Sequence, residues 1–216
     1  MSVVCHVFVN KLFFRGKNTT KLIVVIQKKR IFVLLIINKM EKIGIFCSAS
    51  DVISPNYFEK ARELGTWLGE NHKTLIYGGA NLGLMECIAQ AARQAGATIM
   101  GVVPTKLEER GAVSDLLDIT FRTDNLSERK DVMVRESDVL VALPGGVGTL
   151  DEIFHVVAAA MIGYHTKKVI LYNIDGFWDG IIRFLGELKE KKFARRPLEN
   201  YYSVANSWEE LIEQLK

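Results

Sequence analysis

The sequence predicts an α/β protein with a Rossmann-like, doubly wound parallel sheet and helices on both faces. From Met40 onward, short β-rich stretches alternate with helical patterns, which is typical of βαβ units. Residues 139–143 are entirely apolar, as expected of a strand that is covered on both faces. Because crossovers between parallel strands are right-handed, residues 40–216 are expected to form a single doubly wound domain.

The individual elements follow from local signals along the chain. Predicted strands cover 42–47, 74–77, 97–103, 119–122, 139–143, 168–172 and 202–204. Predicted helices cover 55–70, 82–95, 126–137, 149–162, 176–192 and the residues after Ser207, whereas 105–116 form a polar connection. Ser54 before Pro55 predicts a capped helix start, and Asn125 with Glu128 predicts a capping box.

Residues 1–39 differ from the rest of the chain. They mix Lys, Arg and Asn with β-branched runs such as 22–26 and 31–37. We interpret them as an N-terminal extension or as a stretch translated from a misplaced start; an added β-hairpin or a membrane-surface segment are the alternatives. The longest apolar run, Ile31–Ile37, has seven residues, and a membrane span needs about twenty. The sequence therefore predicts no transmembrane helix.

Composition narrows the classes of function. The 216 residues carry a net charge of only +3, which is weak support for nucleic-acid binding. The three cysteines, Cys5, Cys47 and Cys87, are too few for a disulfide framework and favour a reducing, cytoplasmic location. No Cys or His cluster has metal-ligand spacing, so we expect no metal, no nucleic acid and no membrane partner.

Three loops are predicted to meet at the carboxyl edge of the sheet, where ligands of such folds bind. They are 48–50, 78–81 and 144–149. The last, Pro-Gly-Gly-Val-Gly-Thr, lies between a buried strand and a helix, so its backbone N–H groups and the helix dipole can hold a phosphate. It is not a dinucleotide fingerprint, because Asp151 stands where the third glycine is needed.

Charged residues flank this loop. Asp151 and Glu152 open the following helix, where they could simply complement the helix dipole. A carboxylate there could also face a ribose carbon, because glycoside cleavage develops positive charge on the sugar. Arg129 and Lys130 lie near the start of the preceding helix, against the dipole, which indicates either a bound anion or a solvated charged face.

These motifs together resemble the LOG family of cytokinin riboside 5′-monophosphate phosphoribohydrolases, long labelled lysine decarboxylases. The resemblance rests on Glu128-Arg129-Lys130 combined with Pro-Gly-Gly-Val-Gly-Thr-Leu-Asp-Glu at 144–152, and it extends over about residues 40–216. It implies hydrolysis of an N-glycosidic bond without a metal or organic cofactor. It also implies a homodimer or higher homo-oligomer with the site near the subunit interface.

The resemblance also implies roles for individual residues. Arg129 and Glu152 match the catalytic pair. We expect Glu152 to face C1′ and Arg129 to fix either Glu152 or the phosphate. The substrate-binding candidates within the matching motifs are Ser48, Ser50, Gly79, Arg110, Lys130, Gly145, Gly146, Val147, Gly148 and Thr149.

Several positions depart from the family pattern. Ala80 and Glu86 replace glycines, Gly111 replaces a glutamate, and Ala-Ala-Ala-Met at 158–161 replaces Thr-Trp-Ala-Gln. Because these changes bear on the base pocket, AMP is as good a candidate substrate as a cytokinin nucleotide. The rival interpretations are a nucleotide or molybdenum-cofactor carrier on the same scaffold and a lysine decarboxylase. The decarboxylase is disfavoured because no lysine has a convincing Schiff-base setting.

Overall fold

The structure is a computed structural model that describes residues 41–194 and 196–216 in full. For the N-terminal region it describes the backbone of four strands, β1 (Val4–Phe8), β2 (Lys11–Arg15), β3 (Thr20–Gln27) and β4 (Arg30–Ile37). Each strand pairs antiparallel with the next. The chain divides into two compact units, Met1–Lys39 and Met40–Lys216.

The second unit contains a seven-stranded sheet. Its strands are β5 (Lys42–Phe46), β6 (Thr74–Tyr77), β7 (Thr98–Pro104), β8 (Ile119–Thr123), β9 (Val139–Ala142), β10 (Val169–Tyr172) and β11 (Tyr202–Ala205). They lie in the order β11-β10-β9-β5-β6-β7-β8, and every pairing is parallel. The predicted parallel α/β sheet is therefore confirmed.

Seven α-helices accompany this sheet among the described residues. They are α1 (Pro55–Glu70), α2 (Gly83–Gln94), α3 (Thr105–Glu109), α4 (Leu126–Glu136), α5 (Val147–Ile162), α6 (Asp179–Glu190) and α7 (Trp208–Leu215). Helices α1, α2 and α7 contribute to one apolar core, and α4, α5 and α6 contribute to the other. Successive residues of a strand pack into opposite cores, as Leu75 and Ile76 do, because side chains alternate between the two faces of a sheet.

Helix starts test the predicted capping signals. The Asn125 side chain accepts hydrogen bonds from the N–H groups of Ser127 and Glu128 at 3.0 and 2.9 Å, so the predicted cap is confirmed. The Glu128 carboxylate, however, bonds to the N–H of Asp124, one residue earlier than in a capping box. Ser54 occupies the N-cap position of α1 without a side-chain hydrogen bond, so its predicted capping bond is wrong.

The main differences from the prediction are one additional helix and two shifted helix starts. Residues 105–109 form the short helix α3, where only a connection was expected. Helix α6 begins three residues later than predicted, because Asp175 and Gly176 adopt positive φ angles of 54° and 70° that a helix cannot contain. Helix α5 begins two residues earlier, at Val147, which brings the glycine turn into its first turn.

The strand order creates a switch point between β5 and β9. The chain passes from β5 outward through β6, β7 and β8, and then returns to β9 on the other side of β5. The loops after these two strands touch, since the N–H of Ser48 bonds to the carbonyl of Pro144 at 3.2 Å. A crevice at this position is where ligands of open α/β sheets bind. No helix within the described residues is long and apolar enough to cross a membrane.

Candidate active site at the sheet switch point

A cavity of about 310 Å³ opens at the carboxyl ends of β5, β6 and β9. It is lined by Ile45, Phe46, Cys47, Ser48, Ala49, Gly78, Met85, Arg129, Gly146, Gly148, Thr149 and Glu152. All three predicted loops contribute to it, so the prediction that they share one edge of the sheet is confirmed. Six of the predicted site residues line this cavity, namely Ser48, Arg129, Gly146, Gly148, Thr149 and Glu152.

A buried ion pair crosses the cavity wall. Arg129, from the first turn of α4, donates from Nη1 to Oε1 of Glu152 on α5 at 2.7 Å. Arg129 also donates from Nε to the carbonyl of Val102 at 3.2 Å, which anchors the guanidinium at the end of β7. Glu152 is only 6% exposed. A carboxylate this deeply buried requires a charged partner, and Arg129 supplies one within the cavity.

Two opposing influences act on Glu152. Burial raises the pKa of its carboxyl group above the ordinary value, because the charged form loses hydration. The positive charge and hydrogen bond of Arg129 lower the pKa and oppose that rise. The net direction is upward, so this carboxyl group takes up a proton more readily than an exposed glutamate.

The glycine turn forms the start of α5. Gly146 is the N-cap residue and offers no side-chain cap. The first bond of the helix runs from the N–H of Leu150 to the carbonyl of Gly146 at 3.1 Å. The N–H groups of Val147, Gly148 and Thr149 precede that bond and have no partner within the helix. They form an N-terminal cradle of the kind that holds anions.

Gly145 and Val147 support this cradle without lining the cavity. A Cβ on Gly145 would lie 2.2 Å from Oγ1 of Thr149, so only glycine lets Thr149 fold back against the turn. Thr149 is thereby 3% exposed, whereas Val147 is 82% exposed and directs its side chain away. Val147 can therefore contribute only its backbone N–H group.

Four further predicted substrate-binding residues lie outside the cavity lining. Ser50 donates its N–H to Oγ of Ser48 at 3.0 Å and thus shapes the loop after β5. Arg110 is exposed at the end of α3. Lys130 donates to both carboxylate oxygens of Asp151, at 2.7 and 2.8 Å. Lys130 is absent from the lining of the cavity.

The fourth residue is Gly79, which does not line the cavity, whereas its neighbour Gly78 does. Gly79 has a φ of +73°, and a Cβ there would lie 2.6 Å from Val103, so this glycine serves the packing of the turn. A Cβ on Gly78 would lie 2.0 Å from Nη2 of Arg129. Gly78 therefore makes room for the guanidinium. Both glycines could be identified in the sequence, but the sequence alone does not show which of them lines the cavity.

Cys47 and Met85 also line the cavity and were not predicted. Burial raises the pKa of the Cys47 thiol well above its ordinary value, and the nearby Glu152 adds to the rise. The thiol is therefore protonated and a poor nucleophile. Cys47 and Met85 form apolar walls.

Known proteins are similar to this chain over most of its length. A family model described as "Possible lysine decarboxylase" matches residues 85–215. A cytokinin riboside 5′-monophosphate phosphoribohydrolase of Arabidopsis thaliana is 32% identical over 179 residues, which cover 83% of this chain and 82% of the relative. A probable enzyme of the same name from Oryza sativa subsp. japonica is 33% identical over 84% of this chain and 73% of its own length. The chain belongs to the LOG family.

Solved structures of molybdenum cofactor carrier and binding proteins also resemble this LOG-family chain. A molybdenum cofactor carrier protein from Chlamydomonas reinhardtii matches with a TM-score of 0.63 and 26% identity, over 82% of this chain and 96% of that one. A molybdenum cofactor binding protein from Rippkaea orientalis matches with a TM-score of 0.59 and 26% identity over the same shares.

None of the departures from the LOG pattern lines the cavity. Ala80 is buried and forms an isolated bridge with Val113. Gly111 has a φ of +62°, which favours glycine over the usual glutamate. Glu86 follows the cavity residue Met85, and its Oε2 is buried without a hydrogen-bond partner among the described atoms. Residues 158–161 lie outside the cavity lining.

The buried pair gives a first prediction, which concerns stability. Replacing Arg129 or Glu152 singly with Met is expected to lower the free energy of unfolding by about 3–5 kcal/mol at pH 7, because one buried charge loses its partner. The double variant R129M/E152M is expected to be more stable than either single variant. Urea unfolding of the four proteins measures the coupling, and strictly additive losses would contradict a direct interaction.

The second prediction concerns Gly78. In Gly78→Ala the methyl group displaces the guanidinium of Arg129 from Glu152, so the free energy of unfolding should fall by about 3–5 kcal/mol, as for the loss of Arg129 itself. The pKa of Glu152 should rise, because the charge that lowers it has moved away. A carbon-13 NMR titration of the Glu152 carboxyl group measures this change. Gly186→Ala is the matched control, since a Cβ there meets no atom within 4 Å. An unchanged Glu152 titration in Gly78→Ala would rule out this role.

Proposed function

We propose that the protein hydrolyses the N-glycosidic bond of a nucleoside 5′-monophosphate and releases the free base and ribose 5-phosphate. One observation carries the proposal. The buried Arg129–Glu152 pair and the anion cradle of α5 line the same cavity, and Glu152 lies in that helix just beyond the cradle. A substrate with a phosphate at one end and a bond to be broken close by fits this arrangement.

The cradle is assigned to the 5′-phosphate. The helix dipole and the N–H groups of Val147, Gly148 and Thr149 favour an anion at this position. The Thr149 hydroxyl can add a further donor. The cradle recognises a phosphate through its backbone, which leaves the nearby side chains available for the sugar.

Glu152 is assigned to the anomeric carbon. As the bond between C1′ and the base nitrogen breaks, positive charge develops on the sugar ring, and a carboxylate stabilises it or orients the attacking water. The base leaves with the bonding electrons and a proton, and the water oxygen becomes the new C1′ hydroxyl. Arg129 holds Glu152 in place, and it cannot act as the acid because a guanidinium remains charged.

The description "possible lysine decarboxylase" fits the cavity poorly. Decarboxylation of an amino acid with pyridoxal phosphate requires a Schiff-base lysine. None of the described residues that line the cavity is a lysine. Lys130 directly follows the cavity residue Arg129 in sequence, but its ammonium group contacts the carboxylate of Asp151. The residues that line the cavity therefore do not fit pyridoxal phosphate.

A carrier is the second candidate function, and the two carrier structures support it at the level of the fold. Binding alone does not need a buried Arg–Glu pair, whose desolvation costs free energy. We therefore favour hydrolysis. Cytokinin riboside 5′-monophosphate, the compound in the names of the relatives, and AMP are the substrates that we propose.

The buried free thiols Cys47 and Cys87 suit a reducing compartment, so we propose that the reaction takes place in the cytoplasm.

The third prediction tests the chemistry. The purified protein is incubated with AMP, a cytokinin riboside 5′-monophosphate, other nucleoside monophosphates and the matching nucleosides, and released base is measured by chromatography. Base release is expected from a nucleotide and at least tenfold slower from its nucleoside, because the nucleoside lacks the phosphate that the cradle holds. Glu152→Gln is expected to lose base release while it still binds ribose 5-phosphate.

The matched control for this assay is Glu213→Gln on α7, a glutamate remote from the cavity. Ligand binding by the wild-type protein without release of base from any nucleotide would favour the carrier. Full activity of Glu152→Gln would overturn the assigned role.

We also propose that the protein is a homodimer or higher homo-oligomer. Helix α5 and the residues that follow it present Ile162 at 75% and Tyr164 at 80% exposure. These residues border a cavity of about 710 Å³ that is lined by side chains of α4 and α5, among them His155, whose Nε2 lies 3.0 Å from Asp131. Exposed apolar surface of this kind typically marks an interface.

The fourth prediction tests that interface. Ile162→Glu is expected to convert the oligomer to a monomer, because burial of a charge without a partner disfavours association. Analytical ultracentrifugation measures the mass. Phe184→Glu, at an exposed position of α6, is the control and should leave the mass unchanged. A monomeric wild-type protein would refute the oligomer.

A further inference from the structure

The cavity of about 710 Å³ between α4 and α5 is separate from the candidate active site, because the two share no lining residue. We call it the α4/α5 cavity. Its apolar and aromatic lining comes from Val134, Ala158, Ala159, Ile162 and Tyr164. Ala159 stands where the LOG pattern has a tryptophan. A methyl group in place of an indole ring leaves space in this cavity.

The charged side chains that line the α4/α5 cavity have partners within the chain. Asp131 lies 3.0 Å from Nε2 of His155, and Nε of Arg135 lies 3.0 Å from the Glu136 carboxylate. The ammonium group of Lys167 donates to two carbonyls in the last turn of α4, which have no partner within the helix. The charges of this lining are therefore engaged, and an uncharged, largely apolar occupant is favoured.

His165 contributes a hydrogen-bond donor to the lining of the α4/α5 cavity. Its Nδ1 accepts from the N–H of Lys167 at 3.2 Å, which assigns the proton of the neutral ring to Nε2. Burial lowers the pKa of His165, and the charge of Lys167 lowers it further, so the neutral form predominates at pH 7. Nε2 is buried without a hydrogen-bond partner among the described atoms. Because a buried N–H without an acceptor is costly, an occupant with an oxygen acceptor is favoured.

A side chain with these properties lies at the rim of the same cavity. Tyr164 is 80% exposed, and its phenol combines an apolar ring with a hydroxyl that can accept a hydrogen bond. Across a twofold axis, the same patch of two copies meets face to face, so each copy gives the other what it receives. A patch that carries both the protruding ring and the cavity is complementary to itself. A second copy of this chain is therefore the occupant that this surface favours.

We propose that the α4/α5 cavity receives Tyr164 of a second copy of the chain, and that two copies exchange this side chain across a twofold axis. The ring fills the space beside Ala159, and the phenol oxygen accepts a hydrogen bond from Nε2 of His165. This inference rests on the proposed homo-oligomer and names the contact that holds it together. It does not depend on the proposed hydrolysis, because the active-site residues lie in the other cavity.

Subunit dissociation constants of the wild type, Y164A, A159W and the double variant A159W/Y164A test the exchange by sedimentation equilibrium. Y164A is expected to weaken association by about a hundredfold or more, because each of two cavities loses its aromatic side chain. A159W is expected to weaken association by a similar factor, because the indole occupies the space that the partner's ring needs. The double variant should recover to within about tenfold of the wild type, since the indole then replaces the missing ring.

Phe184→Ala is the matched control, because it removes an exposed aromatic side chain from α6 and should leave association unchanged. Unchanged association in either single variant, or a double variant whose loss is the product of the two single losses, would overturn the exchange. A monomeric wild type would refute the homo-oligomer itself, whereas release of base from nucleotides tests the proposed hydrolysis separately. Urea unfolding of each variant establishes that the compared proteins are folded.

Tyr164→Phe tests the hydrogen bond alone, because it keeps the ring and removes the hydroxyl. Association is expected to weaken by about tenfold, since one hydrogen bond is lost from each of two cavities. The nitrogen-15 NMR signal of His165 Nε2 in the oligomer should shift in Y164F, whereas it should stay unchanged in Phe184→Ala. An identical His165 signal in the wild-type and Y164F oligomers would contradict this contact.

Discussion

The burial of Arg129 against Glu152 is the constraint on which the rest of the site depends. Removal of two opposite charges from water costs free energy, and the cost is offset only where the contact is short and the remaining donors are satisfied. The structure meets these conditions with a 2.7 Å contact and with the carbonyl of Val102. Gly78 is needed because any side chain there would collide with the guanidinium. One contact therefore fixes residues on β7, α4, α5 and the loop after β6.

The start of α5 differs from those of α4 and α7 because no side chain caps it. Helices α4 and α7 begin with side-chain caps from Asn125 and Ser207, which satisfy N–H groups of the first turn. Gly146, the N-cap of α5, provides no such cap, and Gly148 and Thr149 of the first turn line the cavity. Glycine at the N-cap position costs a helix only about a few tenths of a kcal/mol relative to a capping side chain. Here the uncapped donors remain available to a ligand.

Much of the fold could be predicted because its signals are local. The apolar strand β9, the alternation of strands and helices and the Asn125 cap depend on neighbouring residues only. Strand order is not local, so the switch point between β5 and β9 required the structure. Helix α3 was missed because its short charged sequence, Thr105–Glu109, has no apolar periodicity. The motifs identified the loops correctly, but they could not tell which residue of each loop faces inward.

The difference between Arg129 and Lys130 shows where motif reasoning ends. The two residues are adjacent and both are basic, so the sequence alone favours a shared role in anion binding. On a helix, however, consecutive side chains point about 100° apart, and these two reach different partners on α5. A fork-shaped guanidinium suits a buried position with several acceptors, whereas an ammonium suits a single carboxylate at the edge. Arg129, which has more hydrogen-bond donors, therefore lines the cavity, whereas Lys130 does not.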